Sequence, residues 1–141
     1  MDQICDVMTR NPRVVSPMDT MRHAAQCMED LNVGVVPVCD GARVLGVLTD
    51  RDIALRGVAA GRIPDDTPVA DIMSNGVRCC YEDQPIDEVL DEMRDTQIRR
   101  VPVVSRDKRL VGIVSLGDLA ARSGAEPLRV AETLRDISSP M

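Results

Sequence analysis

Laid over itself so that Asp6 falls on Asp71, the chain also sets Met8 on Met73, Met28 on Met93 and Asp30 on Asp95, and brings the "VPV" of 36–38 onto that of 101–103. An extra residue in a turn then advances the register by one position, after which Arg43 meets Arg109, Gly46 meets Gly112 and Asp52 meets Asp118. A long period that occurs twice marks a duplicated structural unit. Each copy holds about 60 residues, a size that is marginal when it folds alone. The two copies are therefore expected to share a core.

Within each copy the hydrophobic periods name the elements. "RVVS" at 13–16 is β-rich, and Met21, Ala24, Ala25, Met28 and Leu31 follow at the spacing of one helix face. "VVPVC" and "RVLGVLT", parted by "DGA", read as a hairpin, and a second helix runs from Asp50 toward Gly61. The second copy repeats the order with "RCCY", a helix through Ile86, Val89, Leu90 and Met93, "VPVVS", "RLVGIVS" and a helix from about Leu116. The expected fold is α+β, α/β-like in its alternation, built from tandem β-α-β-β-α units. Residues 1–61 form the first repeat, 62–68 a polar connector broken by prolines, and 69–122 the second repeat. In 123–141, Leu128, Ala131, Leu134 and Ile137 mark an amphipathic tail helix whose apolar stripe needs a cover.

Composition removes several functions. A net charge of −6 opposes the phosphate attraction that nucleic-acid binders use, and Tyr81 as the lone aromatic leaves no set of stacking platforms. No apolar run reaches a membrane span, and the N-terminus has no secretory pattern, so a cytoplasmic protein without membrane insertion is expected. Five cysteines without CxxC spacing fit a reducing compartment. Catalysis has little to stand on: there is one histidine, and HExxH, GxSxG and P-loop patterns are absent. His23 and Cys27 are four apart on a helix, but two ligands make a weak metal site, so neither a metal nor a catalytic residue is expected.

The most informative stretch is a turn that occurs twice, "GVLTDRD" at 46–52 and "GIVSLGD" at 112–118. In each, a strand ends at a hydroxyl residue, Thr49 or Ser115, with an aspartate three positions on. That spacing makes a capping box, in which the hydroxyl and the acid satisfy free backbone N–H groups. Asp in place of the usual Glu or Gln, recurring in register, also suits a carboxylate that accepts ribose hydroxyls.

The sets "DVMT…VPV…GVLTDRD" and "DIMS…VPV…GIVSLGD" resemble the two motifs of a cystathionine-β-synthase (CBS) domain pair, or Bateman module, over residues 4 to about 121. The resemblance implies a small stand-alone bacterial-type CBS protein, its repeats packed through their sheets about a pseudo-twofold axis. It also implies two clefts, each built from both repeats, that take adenosyl ligands such as AMP, ADP, ATP or S-adenosylmethionine. One cleft would use Thr49, Arg51 and Asp52 with Cys79, Cys80, Ile98, Arg99 and Arg100. The other would use Ser115 and Asp118 with Arg13, Val14, Val15, Val33, Gly34 and Val35. The aspartates would hold ribose, and Arg51, Arg99 and Arg100 would make the first cleft the more phosphate-selective. "NPRVVSP" is close to the family pattern, whereas "NGVRCCYED" departs from it with cysteines at the inner strand positions. The resemblance further implies no required cofactor, an adenine nucleotide as regulatory ligand, a homodimer, and a regulated partner protein of unknown identity. An interaction module with unoccupied clefts is the alternative.

Overall fold

The computed structural model describes residues 2–76, 78–96 and 99–122. The expected tail helix at 123–141 lies outside them. The described residues divide into two compact units, one of residues 13–76, the other of residues 2–12 together with 78–96 and 99–122.

In the first unit, helix α1 (Met21–Leu31) starts where the Thr20 hydroxyl accepts the His23 N–H at 3.1 Å, and stops at Asn32, which takes a left-handed φ of 54°. Its stripe of Met21, Ala24, Cys27 and Met28 is buried, while Leu31 at the last turn is 42 % exposed. The stripe packs with β2 (Val35–Asp40) and β3 (Arg43–Thr49), an antiparallel hairpin that turns at Gly41 with φ 61°. The expected strand at 13–16 is reduced to one parallel bridge, Val15 to Val38, with the Val15 N–H donating to the Pro37 carbonyl at 3.0 Å.

On the other edge of β3 lies β4 (Ser74–Asn75), antiparallel through Gly46↔Asn75 and Val47↔Ser74. Just before β4, the 3-10 turn Val69–Asp71 sends Val69, Ile72 and Met73 into the same core as Val15, Met21, Val36, Val38 and Leu48. Residues numbered with the second repeat thus complete the first unit.

Helix α2 begins at Asp50–Asp52 and widens over Ile53–Val58 to π-type bonding, in which the Ala59 N–H donates to Ala54 O at 2.9 Å. It is shorter than the run to Gly61 that the sequence suggests.

The second unit has the same plan. Strand β5 (Cys80–Tyr81) runs parallel to β6 (Arg100–Val104), which is antiparallel to β7 (Leu110–Ser115). The outer strand β1 (Thr9–Arg10) pairs antiparallel with β7 through Thr9↔Ile113 and Arg10↔Gly112. Helices α3 (Ile86–Thr96) and α4 (Leu116–Arg122) close the core, in which Val89, Leu90, Met93 and Leu119 are fully buried. Ile4, Val7 and Met8, from the 3-10 turn Ile4–Asp6, pack into this core. In the repeat alignment they are the counterparts of Val69, Ile72 and Met73. Each unit is therefore closed by one copy of the same short segment: in the first it follows the body in sequence, in the second it precedes it.

Tyr81 lies under the guanidinium of Arg106, 4.2 Å from its centroid, and Arg106 also makes a two-point contact with Asp83 at 3.0 and 2.8 Å. None of the five cysteines is joined in a disulfide. Among the described residues no helix is long and apolar enough to cross a membrane.

Candidate functional site

The repeated turn is built the same way in both units. In the first, Thr49 ends β3 in an extended conformation; its hydroxyl accepts the Asp52 N–H, and its own N–H donates to Asp52 Oδ2, both at 3.0 Å. In the second, the Ser115 hydroxyl accepts the Asp118 N–H, and the Ser115 N–H donates to Asp118 Oδ2, again both at 3.0 Å. The capping box is complete twice. A carboxylate offers about four acceptor positions and the box uses one, so each aspartate retains capacity for a ligand's hydroxyls.

The two carboxylates differ in what else they hold. Asp52 is 9 % exposed; the Ser74 hydroxyl is 3.3 Å from both its oxygens, and Arg56 Nε lies 4.0 Å from Oδ1. Arg56 is anchored by donating to the Met73 carbonyl at 3.0 Å. Asp118 is half-buried, and among the described residues its Oδ1 has no hydrogen-bond partner. Ser74 and Arg56 escaped the sequence reading. The signal for Ser74 was its place in "DIMS", where its hydroxyl is the counterpart of that of Thr9 in "DVMT".

Around Thr49 and Asp52, the first unit gathers several of the other candidates. Val35 is the cross-strand partner of Thr49, and the Asp50 N–H donates to the Gly34 carbonyl at 2.9 Å. Val33, Gly34 and Val35 are half-buried, Val15 is buried, and Arg13, Val14 and Arg51 are exposed. The Asp50 carboxylate packs on Gly34 so closely that a Cβ there would lie 2.9 Å from Oδ2.

The second unit gathers the rest. Arg100 is the cross-strand partner of Ser115, and the Leu116 N–H donates to the Arg99 carbonyl at 2.9 Å. Both arginines are exposed. Cys80 is fully buried and pairs with Val103, while Cys79 is half-buried. Burial, then the nearby Glu92 carboxylate, pushes the Cys80 thiol up to about 12. Such a thiol is a packing residue rather than a nucleophile. Ile98 lies outside the described residues.

Residues that the family resemblance assigns to different clefts lie in the same unit. Arg13–Val15 and Val33–Val35 lie in the unit of Thr49 and Asp52, and Cys79, Cys80, Arg99 and Arg100 in the unit of Ser115 and Asp118.

On α1, Cys27 Sγ is 3.6 Å from His23 Nε2, which is 3.9 Å from Asp19 Oδ2. Among the described residues no group of three or more histidine, cysteine or acidic side chains is placed to hold a metal ion.

Two tandem units, each with a hydroxyl–aspartate turn at a strand–helix junction, define a duplicated α+β module. The CBS domain family model matches residues 4–57 and 69–124, and the chain belongs to that family. It is 39 % identical over 140 residues to the uncharacterized protein YlbB of Bacillus subtilis, spanning 98 % of this chain and 93 % of that one. Hypoxic Response Protein I, solved with two coordinated zinc ions, is similar with a TM-score of 0.78 and 37 % identity, over 84 % of this chain and 97 % of that one. A CBS domain protein of Pyrobaculum aerophilum complexed with AMP, PAE2072, is similar with a TM-score of 0.77 and 26 % identity, over 94 % and 98 % of the two chains.

Proposed function

We propose that this protein is a stand-alone regulatory module that binds adenosyl ligands, AMP, ADP, ATP or S-adenosylmethionine, and passes their occupancy to a partner protein. The observation that carries the reading is the twofold occurrence of one turn, in which Asp52 and Asp118 are held by the same pair of 3.0 Å bonds. A capping role alone is met as well by Glu or Gln. A short carboxylate fixed at its base, with acceptor positions remaining, matches the two adjacent hydroxyls of a ribose. The AMP complex of PAE2072 supports the choice of nucleoside. The arrangement favours binding over turnover, because the Thr49 and Ser115 hydroxyls are committed as caps to the Asp52 and Asp118 N–H groups.

Each aspartate would accept charge-assisted hydrogen bonds worth about 1.5–3 kcal/mol. Asp52→Asn and Asp118→Asn are each expected to weaken one site by about ten- to hundredfold in isothermal titration with AMP and to spare the other. If both variants bind AMP as tightly as the parent, the aspartates do not hold the ligand. If no adenosyl ligand binds the parent, the interaction-module alternative stands.

The functional form we propose is a homodimer. Leu55 and Val58 on α2 and Ile63 beyond it are 51, 67 and 60 % exposed, apolar surface that a second copy can cover. Two-fold association is the commonest symmetry. Light scattering at tens of micromolar is expected to give twice the chain mass; the mass of a single chain would refute it.

A further inference from the structure

An acid, an imidazole and a thiol meet at the start of α1, away from the repeated turns. Asp19, His23 and Cys27 stand four apart in sequence, the spacing that stacks side chains over successive turns of a helix. Cys27 Sγ is 3.6 Å from His23 Nε2, and Asp19 Oδ2 is 3.9 Å from the same nitrogen. Asp19 is fixed there, because its Oδ2 accepts the Ser16 N–H at 2.8 Å and its carbonyl accepts the Val69 N–H at 2.8 Å.

In the repeat alignment these three fall on Gln84, Glu88 and Glu92. There the Gln84 amide donates to Glu88 Oε1 at 2.7 Å and to Glu92 Oε1 at 3.3 Å. Both units keep a polar ladder at this place. The second builds it from an amide and two carboxylates, whereas the first builds it from a nucleophile, a base and an acid.

His23 is the single histidine of the chain, so Cys27 is the one cysteine with an imidazole beside it. Cys27 is 5 % exposed, but the imidazole on its sulfur belongs to an exposed side chain, which puts the thiol just beneath the surface. The other thiols are set differently. Burial, then the Asp6 and Glu82 carboxylates, pushes the Cys5 thiol up, and burial does the same to Cys79 and Cys80. Cys39 is buried in β2.

We propose that Cys27 is a modification site for hydroperoxides, with His23 as the base that takes its proton and Asp19 as the counter-charge to the imidazolium. A thiol beside a base that a third group holds is the arrangement of an activated nucleophile. In the tautomer with its proton on Nδ1, His23 Nε2 accepts the thiol proton as Sγ attacks one oxygen of hydrogen peroxide. The S–O bond forms as the O–O bond breaks, and the leaving hydroxide takes the proton from Nε2 and departs as water. Sulfur is oxidised to the sulfenic acid and the peroxide is reduced. The product sets a hydroxyl in the apolar stripe of Met21, Ala24 and Met28, so the first unit carries the mark of oxidation in its own core. This reading is independent of the adenosyl one.

The test is to treat the full chain with hydrogen peroxide in the presence of dimedone, which traps sulfenic acids, and to follow each cysteine by peptide mass spectrometry. Access alone ranks the half-buried Cys5 and Cys79 ahead of Cys27. Base assistance ranks Cys27 first, by about tenfold or more. His23→Ala is at an exposed position and keeps the backbone N–H that Thr20 caps, so the helix start is preserved. It is expected to slow labelling of Cys27 about ten- to hundredfold, with partial recovery in free imidazole. If His23 only covers the sulfur, its removal speeds labelling instead. Labelling of Cys5 or Cys79 before Cys27, an unchanged or faster rate at Cys27 in His23→Ala, or a loss that imidazole does not reverse overturns the proposal.

Discussion

Replacing Gly46 with alanine is expected to lower the melting temperature by about 10 to 15 °C, since overpacking of this kind costs about 3 kcal/mol and a chain of this size loses roughly 3 to 5 °C per kcal/mol. A Cβ at Gly46 would overlap the Ser74 carbonyl oxygen and the Met73 side chain. The carbonyl is backbone in β4, paired through Gly46↔Asn75, so it cannot yield without parting β4 from β3. With β4 goes the hold on Met73, Ile72 and Val69, all in the core, and the Ser74 hydroxyl that sits on Asp52.

Gly112 occupies the same place in the second unit, but there the nearest atom is Met8 Sδ at 2.6 Å, the end of a flexible side chain, with Thr9 O at 2.8 Å. Gly112→Ala should cost less, about half. Thermal melts followed by circular dichroism decide the order. A Gly46→Ala chain that melts with the parent would show that β4 does not pack on β3.

The second large effect is expected at the N-terminal segment. Ile4 and Val7 are 0 and 1 % exposed, and Met8 is 5 % exposed; all three lie in the core of the second unit with Cys80, Leu90 and Met93. Ile4→Ala is expected to cost about 2 to 5 kcal/mol in urea denaturation, and Ile72→Ala, in the matching segment of the first unit, a similar amount. Against a total stability of about 5 to 15 kcal/mol, removing residues 2–12 altogether is expected to abolish cooperative folding of the second unit. A truncated chain that unfolds at the parent's urea concentration would show that the segment contributes nothing.

Much of this architecture is legible in the sequence. The match of Asp6 through Met28 to Asp71 through Met93 shows the duplication, helix spacing marks α1 and α3, and alternating apolar runs around glycine or charged turns mark the two hairpins. Strands β1 and β4 escape because two residues carry no alternation to read. The closing segments escape for a different reason. Nothing local in "ICDVM" says that it completes the unit that resumes only at Arg78, since that is decided by which sheet edge is open. The bond from Ser74 to Asp52 spans 22 residues and is non-local in the same way. The hydroxyl–aspartate turn is legible as a capping box because its partners are three positions apart. The opposition of Arg100 and Ser115 is not legible by counting back from the turn at 105–109, which would set Arg100 opposite Val114; a register shift between Val103 and Val104 moves every later pairing by one residue.

The central claim is that Asp52 and Asp118 hold the ribose of an adenosyl ligand. A crystal structure of the chain grown with millimolar AMP tests it most directly. The account predicts AMP with its 2′ and 3′ hydroxyls about 2.5–3.0 Å from a carboxylate oxygen of Asp52 or Asp118. AMP bound with its ribose on neither aspartate, or crystals without AMP at that concentration, would contradict it.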